Sequence, residues 1–230
     1  MYVEFSTKGE KMKKYFEILK KCPLFENIED NNLITMLSCL GAKIETFDKK
    51  YTIMAEGRPA KYIGIVLSGS AQIIQIDYFG NRSILSEIEP ADIFGETFAC
   101  AGVQSLPVSV IANDPCEIML IDSHHIMHTC ANHCSFHQQL IFNLMKNLAN
   151  KNILFHQKLE IISRHSTREK LLAYLTLQAQ RKGSNSFDIP FDRQELADYL
   201  QVDRSGMSVE ISKLRKEGIL KSYKNHFELL

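Results

Sequence analysis

The fold of the C-terminal part of the chain is decided by residues 192–218, which read DRQELADYLQVDRSGMSVEISKLRKEG. This stretch predicts two short helices joined by a tight turn. Asp192 lies three residues before Glu195, the spacing of a capping box, so the first helix is expected to begin there. Asp203 follows a break in the apolar pattern and can accept hydrogen bonds from the first N–H groups of the second helix. Gly218 has the position of a glycine that ends a helix.

The second of these helices has two contrasting faces. Met207, Ile211 and Leu214 recur at positions i, i+4 and i+7, so they are expected to face a core. Small and basic side chains cover the opposite face, and such a face lets a helix enter the major groove of DNA. A helical hairpin with an ordinary solvated face is the alternative interpretation. The residues of the opposite face are Arg204, Ser205, Ser208, Val209, Ser212 and Lys216.

The composition is that of an ordinary globular protein of about two domains. The chain has 230 residues, of which 45% are apolar and 23% charged, so disorder is not expected. No apolar run approaches the roughly 20 residues of a membrane span, and the first residues lack a secretory signal. We therefore expect a cytoplasmic protein with no membrane partner. The net charge is zero, but residues 164–230 carry a basic excess that suits contact with phosphates.

Periodicity divides the rest of the chain into a β-rich part and a long helix. Between residues 42 and 122, runs rich in Ile, Val, Phe and Tyr alternate with turn residues about every 8–12 positions, which is typical of a β-roll or barrel. Residues 135–162 return to a helical period, with apolar residues seven positions apart. A sustained heptad favours pairing with a second helix, although one helix packed on the roll is the alternative. The residues predicted for a dimer interface are Ile141, Leu144, Leu148, Phe155, Leu159 and Ile162.

The order of these parts resembles the CRP/FNR superfamily of bacterial transcription regulators. Residues 219–230, ILKSYKNHFELL, add to the resemblance because they predict a hairpin, the wing of a winged helix. The resemblance covers nearly the whole chain, and its motifs are specific together but weak singly. These motifs are EGRPAKYIGIVLSGSAQI (56–73), PADIFGE (90–96), PVSVIANDPCEIMLI (107–121) and RSGMSVEISKLRKEGIL (204–220).

The resemblance implies an α+β fold in three parts. Residues 1–134 would hold N-terminal helices and a sensor domain, a β-roll like the cyclic-nucleotide-binding domain (a double-stranded β-helix). Residues 135–163 would form a long dimerisation helix, and residues 164–230 a winged helix-turn-helix. The family implies a non-enzymatic homodimer on near-palindromic double-stranded DNA, with RNA polymerase as a further partner. A small effector in the roll would control DNA affinity through the long helix.

The residues that would contact DNA follow from the resemblance position by position. The base-reading residues are Arg204, Ser205 and Val209, where family members often have Glu in place of Ser205 and Arg in place of Val209. We therefore expect an operator sequence that differs from the best-known consensus of the family. Arg204 can pair bidentately with guanine, whereas Val209 offers only apolar contact, for example to a thymine methyl group. The predicted phosphate contacts are Thr167, Arg168, Ser208, Ser212 and Lys213.

The sensor pocket departs from that of the cyclic-nucleotide members of the family. The Gly-Glu pair that holds the ribose there is present as Gly95-Glu96, but Leu106-Pro107 replaces the Arg-Ser pair that holds the cyclic phosphate. A phosphodiester without its arginine would be desolvated and unpaired, so cyclic AMP is not the expected effector. A small apolar or aromatic ligand fits better, and a filled roll core with no ligand is the alternative. The predicted lining is Leu85, Ser86, Gly95, Glu96, Leu106, Leu154 and Phe155.

Three other interpretations stay open. His124, His128, Cys130 and Cys134 lie in a segment where pairs at i, i+4 could bind zinc, iron or haem, although a polar surface turn explains them more simply. The six cysteines include no CxxC pair and are most simply free thiols, but a thiol-redox switch could use the same fold. The helix-turn-helix could also bind a protein rather than DNA. No cofactor is indicated with certainty, and a cupin-type metalloenzyme would need His on the roll strands, all of which precede His124.

Overall fold

The structure, a computed structural model, describes residues 14–128 and 136–230, which divide into two compact units. Residues 14–75, 85–128 and 136–151 belong to the first, here called the roll unit. Residues 76–84 and 152–230 form the second, here called the winged-helix unit. None of the helices within the described ranges combines the length and apolar character needed to span a membrane.

Two four-stranded sheets form the β-roll. Their strand orders are β1-β8-β3-β6 and β2-β7-β4-β5, so most neighbours in a sheet are far apart along the chain. The longest register is antiparallel, with Tyr62 of β3 opposite Asp122 of β8. This winding confirms the predicted roll. The strands are β1 Lys43–Phe47, β2 Thr52–Met54, β3 Tyr62–Ser68, β4 Ala71–Ile76, β5 Arg82–Ile88, β6 Ile93–Phe94, β7 Ser109–Ala112 and β8 Cys116–Asp122.

Short helices close the roll and share one apolar core with the start of the long helix. Leu140 and Leu144 of the long helix belong to this core, in which Leu19 and Ile63 are fully buried. Asn143 is buried beside them, and its Nδ2 donates hydrogen bonds to the carbonyl oxygens of Leu24 (3.0 Å) and Glu26 (2.7 Å). The helices are α1 Phe16–Leu19, a 3-10 turn Pro23–Phe25, α2 Asp30–Cys39, α3 Glu96–Cys100, α4 Ser123–Met127 and α5 Phe136–Ile162.

The long helix α5 contributes to both units. Its first part, up to Lys151, packs in the roll unit, and its remainder belongs to the winged-helix unit. The tip of the β4–β5 hairpin, residues 76–84, also belongs to the winged-helix unit. The compact units are defined by long-range packing, whereas the boundaries at 134 and 163 expected from the sequence separate consecutive parts of the chain and stay a prediction.

The C-terminal part of the winged-helix unit is built as its capping residues predict. Ser166 and Glu169 form a complete capping box at the start of α6, and Asp192 and Glu195 form another at the start of α7. A three-stranded sheet of order β10-β11-β9 forms the wing, whose hairpin turns at residues 224–225 as predicted. The elements are α6 Thr167–Lys182, β9 Ser186–Asp188, α7 Arg193–Leu200, α8 Arg204–Lys216, β10 Leu220–Tyr223 and β11 His226–Leu229.

Candidate nucleic-acid interface and sensor site

Helix α8 is oriented by its cap and its apolar face. Asp203 accepts a hydrogen bond from the backbone N–H of Gly206 at 2.6 Å, which satisfies one of the unpaired donors at the helix start. Met207, Ile211 and Leu214 are buried, as their spacing predicts. Since these three side chains fix one face inward, the opposite face of the helix is turned toward solvent.

Short side chains cover much of the exposed face of α8, and the long basic side chain of Arg204 lies at its start. Ser208 and Ser212 donate hydrogen bonds to the carbonyl oxygens four residues earlier, at 2.9 and 3.0 Å, so their hydroxyl groups lie against the helix. Val209 is 53% exposed, and Arg204 and Ser205 are also exposed. Arg204 makes no ion pair with any residue in the described ranges. Its guanidinium group is therefore available for a partner outside the chain.

Two of the predicted phosphate contacts are already engaged within the chain. Arg168 forms a bidentate ion pair with Glu217, with Nη1 3.0 Å from Oε1 and Nη2 2.5 Å from Oε2. This pairing raises the pKa of Arg168 and lowers that of Glu217. Lys213 pairs with Glu210 at 2.6 Å, and Thr167 is half-buried at the start of α6. Phosphate contact by either cation would have to compete with a carboxylate of the same unit.

The wing adds basic groups that the position-by-position prediction did not include. Arg215, Lys221 and Lys224 are exposed, and Tyr223 is 72% exposed. A cleft lies along the wing, between Arg215 at the end of α8 and His226 of β11. In the sequence, the basic excess of residues 164–230 indicated that such basic groups exist, but it did not identify Arg215, Lys221 and Lys224.

Gly95 and Glu96 form the centre of the predicted sensor site. Gly95 has a φ of 78°, and a Cβ atom there would lie 2.9 Å from the carbonyl oxygen of Tyr62. Only glycine fits this left-handed, crowded position without strain. The turn places Glu96 at the start of α3 with 1% of its surface exposed. A carboxylate is thereby held in the interior of the roll unit.

Lys151 of α5 is the partner of this buried carboxylate. Its Nζ lies 2.7 Å from Glu96 Oε1 and donates a second hydrogen bond to the carbonyl oxygen of Ile93 at 2.5 Å. Glu96 Oε2 is buried and has no hydrogen-bond partner among the described residues. The site therefore contains a neutral ion pair with one spare acceptor. Lys151 was not among the predicted lining residues.

The remaining predicted lining residues divide between the two units. In the roll unit Leu106 is buried, Leu85 and Ser86 are half-buried, and Ser86 donates a hydrogen bond to the carbonyl oxygen of Glu87 at 3.0 Å. In the winged-helix unit Leu154 and Phe155 are 49% and 48% exposed. Each group is positioned within its own unit.

The side chains that α5 leaves exposed only partly match the predicted dimer interface. Phe155 and Leu159 are exposed, and Ile141, Leu148 and Ile162 are half-buried. Leu144 is 4% exposed and belongs to the core of its own chain, so its assignment to a dimer interface is corrected. The large apolar side chains that α5 exposes are instead Phe142, Met145, Ile153, Leu154, Phe155 and Leu159, and Phe142, Met145 and Leu159 among them form a stripe with heptad spacing.

His124 and His128, two members of the predicted metal cluster, contact each other at the end of α4. The rings of His124 and His128 stack with centroids 3.9 Å apart, and His128 Nδ1 lies 3.0 Å from the carbonyl oxygen of His124. Cys130 and Cys134 lie outside the described residues. Within the described ranges, no three His, Cys, Asp or Glu side chains are grouped to hold a metal ion. Burial raises the pKa of Cys22 to about 12, which disfavours a reactive thiolate there.

A β-roll, a long helix and a winged helix-turn-helix, in this order, define a sensory DNA-binding regulator. Residues 44–133 match the cyclic nucleotide-binding domain, and residues 169–230 match the Crp-like helix-turn-helix domain. The chain belongs to the CRP/FNR family of DNA-binding transcription regulators.

Individual relatives are distant in sequence but similar in length. The transcriptional activator FnrL of Cereibacter sphaeroides is 22% identical over 74% of this chain and 68% of its own. The structure of FixK2 from Bradyrhizobium japonicum matches with a TM-score of 0.65 and 20% identity, covering 82% of this chain and 92% of that one. The c-di-GMP responsive regulator CLP of Xanthomonas campestris matches with a TM-score of 0.70 and 15% identity, over 85% and 98% of the two chains. At these identities the structural matches support the fold.

Proposed function

We propose that the protein works as a homodimer in which the α8 helices of two subunits read near-palindromic DNA in successive major grooves. The observation that carries this proposal is the solvent-facing side of α8, where Arg204 has no partner within the described chain. Arginine is the side chain best suited to pair bidentately with guanine, and the small neighbours let the helix approach the bases. RNA polymerase is a further proposed partner, because a transcription regulator acts where transcription begins. The cytoplasm is the proposed location.

Selection from a random duplex pool tests this function. The recovered duplex and a scrambled control would be titrated with the full chain by fluorescence anisotropy between 50 and 200 mM salt. We expect tighter binding to the recovered duplex, with an affinity that falls steeply as salt rises, because phosphate contact releases counterions. If no sequence is enriched and no salt-dependent binding is seen, the rival function, a helix-turn-helix that binds a protein, is favoured.

We propose that the roll binds a small, mostly apolar effector rather than cyclic AMP. Leu106 stands where a phosphate-binding arginine would be needed, and Lys151 is already neutralised by Glu96. A phosphodiester would therefore enter without an unpaired cation to meet it. The spare oxygen Glu96 Oε2 supports a ligand with one hydrogen-bond donor on an otherwise apolar body.

Calorimetry separates the two kinds of effector. Titration of the full chain with cyclic AMP is expected to give no saturable heat at micromolar concentrations. Saturable binding of cyclic AMP would contradict the apolar-effector proposal and leave the DNA-binding proposal untouched.

A further inference from the structure

Three segments that are distant along the chain meet in the winged-helix unit. They are the tip of the β4–β5 hairpin, residues 76–84, the second half of α5, and α7, the first helix of the helix-turn-helix. The hairpin tip starts from the roll sheet, yet its contacts place it with the winged helix. Two cations, Arg82 and Lys158, make the polar contacts among these three segments.

Arg82 joins the hairpin to α7. Its Nε and Nη2 atoms each lie 2.8 Å from Asp198 Oδ2. The other oxygen of Asp198 accepts a hydrogen bond from Gln194 Nε2 at 2.8 Å, and the Asp198 side chain is only 12% exposed. The Arg82 side chain is 39% exposed, but because both oxygens of the largely buried Asp198 carboxylate are used, the carboxylate is held in one geometry.

Lys158 joins α5 to both of the other segments. It is 7% exposed, its Nζ donates a hydrogen bond to the carbonyl oxygen of Ile84, and it lies 3.9 Å from the ring centroid of Tyr199. Tyr199 follows Asp198 on α7, so the two cations hold adjacent residues. The ring of Tyr199 in turn packs on the rings of Tyr174 and Phe191, whose centroids lie 5.4 and 4.9 Å from its own.

We propose that Arg82 and Lys158 form a latch that fixes α7 to the hairpin tip, and that opening this latch frees the recognition helix α8 to change its orientation. This inference rests on the proposed DNA-binding function. Helix α7 packs on α8, so a fixed α7 also fixes α8. The latch strand β5 continues from Arg82 to Ile88, and its later residues belong to the roll unit. Arg82 and Lys158 are positioning residues, since they act on DNA binding through α7.

Proton uptake gives the latch a measurable signature. Burial lowers the pKa of Lys158 to about 7, whereas a lysine exposed by opening would titrate near 10.4. Protons therefore favour the open latch as pH falls from about 10 to about 7, and below that range both states are protonated. The other ionisable groups around the latch are Arg82, Asp198 and Tyr199, with Arg181 of α6 acting on Tyr199.

Lysine NMR on the full chain tests the latch directly. With ¹³C-labelled lysine, the Cε signal of Lys158 is assigned from its loss in Lys158→Arg and is followed from pH 6 to 11. We expect a midpoint near 7 in the wild type. Arg82→Glu should open the latch and move the midpoint toward the ordinary lysine pKa of about 10.4. The charge-swapped double variant Arg82→Glu with Asp198→Arg should return the midpoint toward the wild-type value.

The control and a second readout separate the latch from its consequence. Arg164→Gln breaks an exposed ion pair with Glu160 in the same unit and should leave the Lys158 midpoint unchanged. Opening should also weaken binding to the selected duplex several-fold, with recovery in the double variant.

A wild-type midpoint near 10, or an unchanged midpoint in Arg82→Glu, overturns the latch. A shifted midpoint with unchanged DNA affinity overturns the positioning role. If neither the wild type nor any variant binds a duplex, the proposed function fails. The midpoint of the Lys158 titration still decides whether the latch exists.

Discussion

Arg204 and Val209 lie on the exposed face of α8 and offer a base pair two different kinds of contact. Arg204 presents a fork of donors that suits guanine O6 and N7, and Val209 presents methyl groups that suit a thymine methyl. Ser208 and Ser212 on the same face are short, and their hydroxyl groups donate hydrogen bonds to carbonyl oxygens of the helix itself. We therefore expect the sequence preference of the protein to depend strongly on Arg204.

Replacing Arg204 with alanine tests this dependence. Arg204→Ala should weaken binding to the selected duplex by about 1–3 kcal/mol and relax the preference at one base pair of each half-site. Arg164→Ala is the matched control, because Arg164 is also exposed but pairs with Glu160 one turn earlier on α5. The measurement is competition anisotropy against duplexes changed at single positions. Equal loss on every duplex would mean that Arg204 contacts phosphate only.

Single-residue roles were predictable from the sequence where the signal is local. The caps of Asp192 and Asp203 and the buried face of α8 follow from spacing alone, and the structure confirms them. The pairing of Arg168 with Glu217 and of Lys151 with Glu96 could not be read in this way. Each joins residues about 50 positions apart, and no periodicity records which charged groups will meet.

At the scale of elements, the long helix illustrates how far a heptad pattern can be trusted. The pattern predicted that α5 ends at Ile162, as the structure shows, but it placed the interface on Leu144, which is buried in its own chain. Helix α5 has two apolar faces, one for the roll and one exposed, and the sequence does not say which is which. The exposed stripe begins one position later, at Phe142, with Met145 and Leu159 on the same side.

A charge on that stripe tests the proposed dimer. Phe142 is 57% exposed in the single chain, so Phe142→Glu should fold normally and yet separate the subunits, because a buried carboxylate without a partner costs several kcal/mol. Asn150→Glu, at an exposed position off the stripe, is the control and should leave the assembly intact. Sedimentation velocity measures both. A dimer that persists in Phe142→Glu would remove the stripe from the interface.

At the scale of the whole molecule, the sequence predicted the order of the parts, from the roll through the long helix to the winged helix. The roll, the long helix and the winged helix each have a period that can be read directly. The assignment of residues 76–84 to the winged-helix unit depends on contacts such as Arg82 with Asp198, which local patterns do not contain. The proposed effector site is equally non-local, since its predicted lining residues come from several elements.

Hydroxyl-radical footprinting of the full chain on the selected duplex tests the central claim, that a pair of α8 helices reads DNA. We expect two protected patches related by two-fold symmetry, centred about one helical turn or roughly 34 Å apart, and weakened by Arg204→Ala. A single patch, or protection that is the same on scrambled DNA, would contradict it.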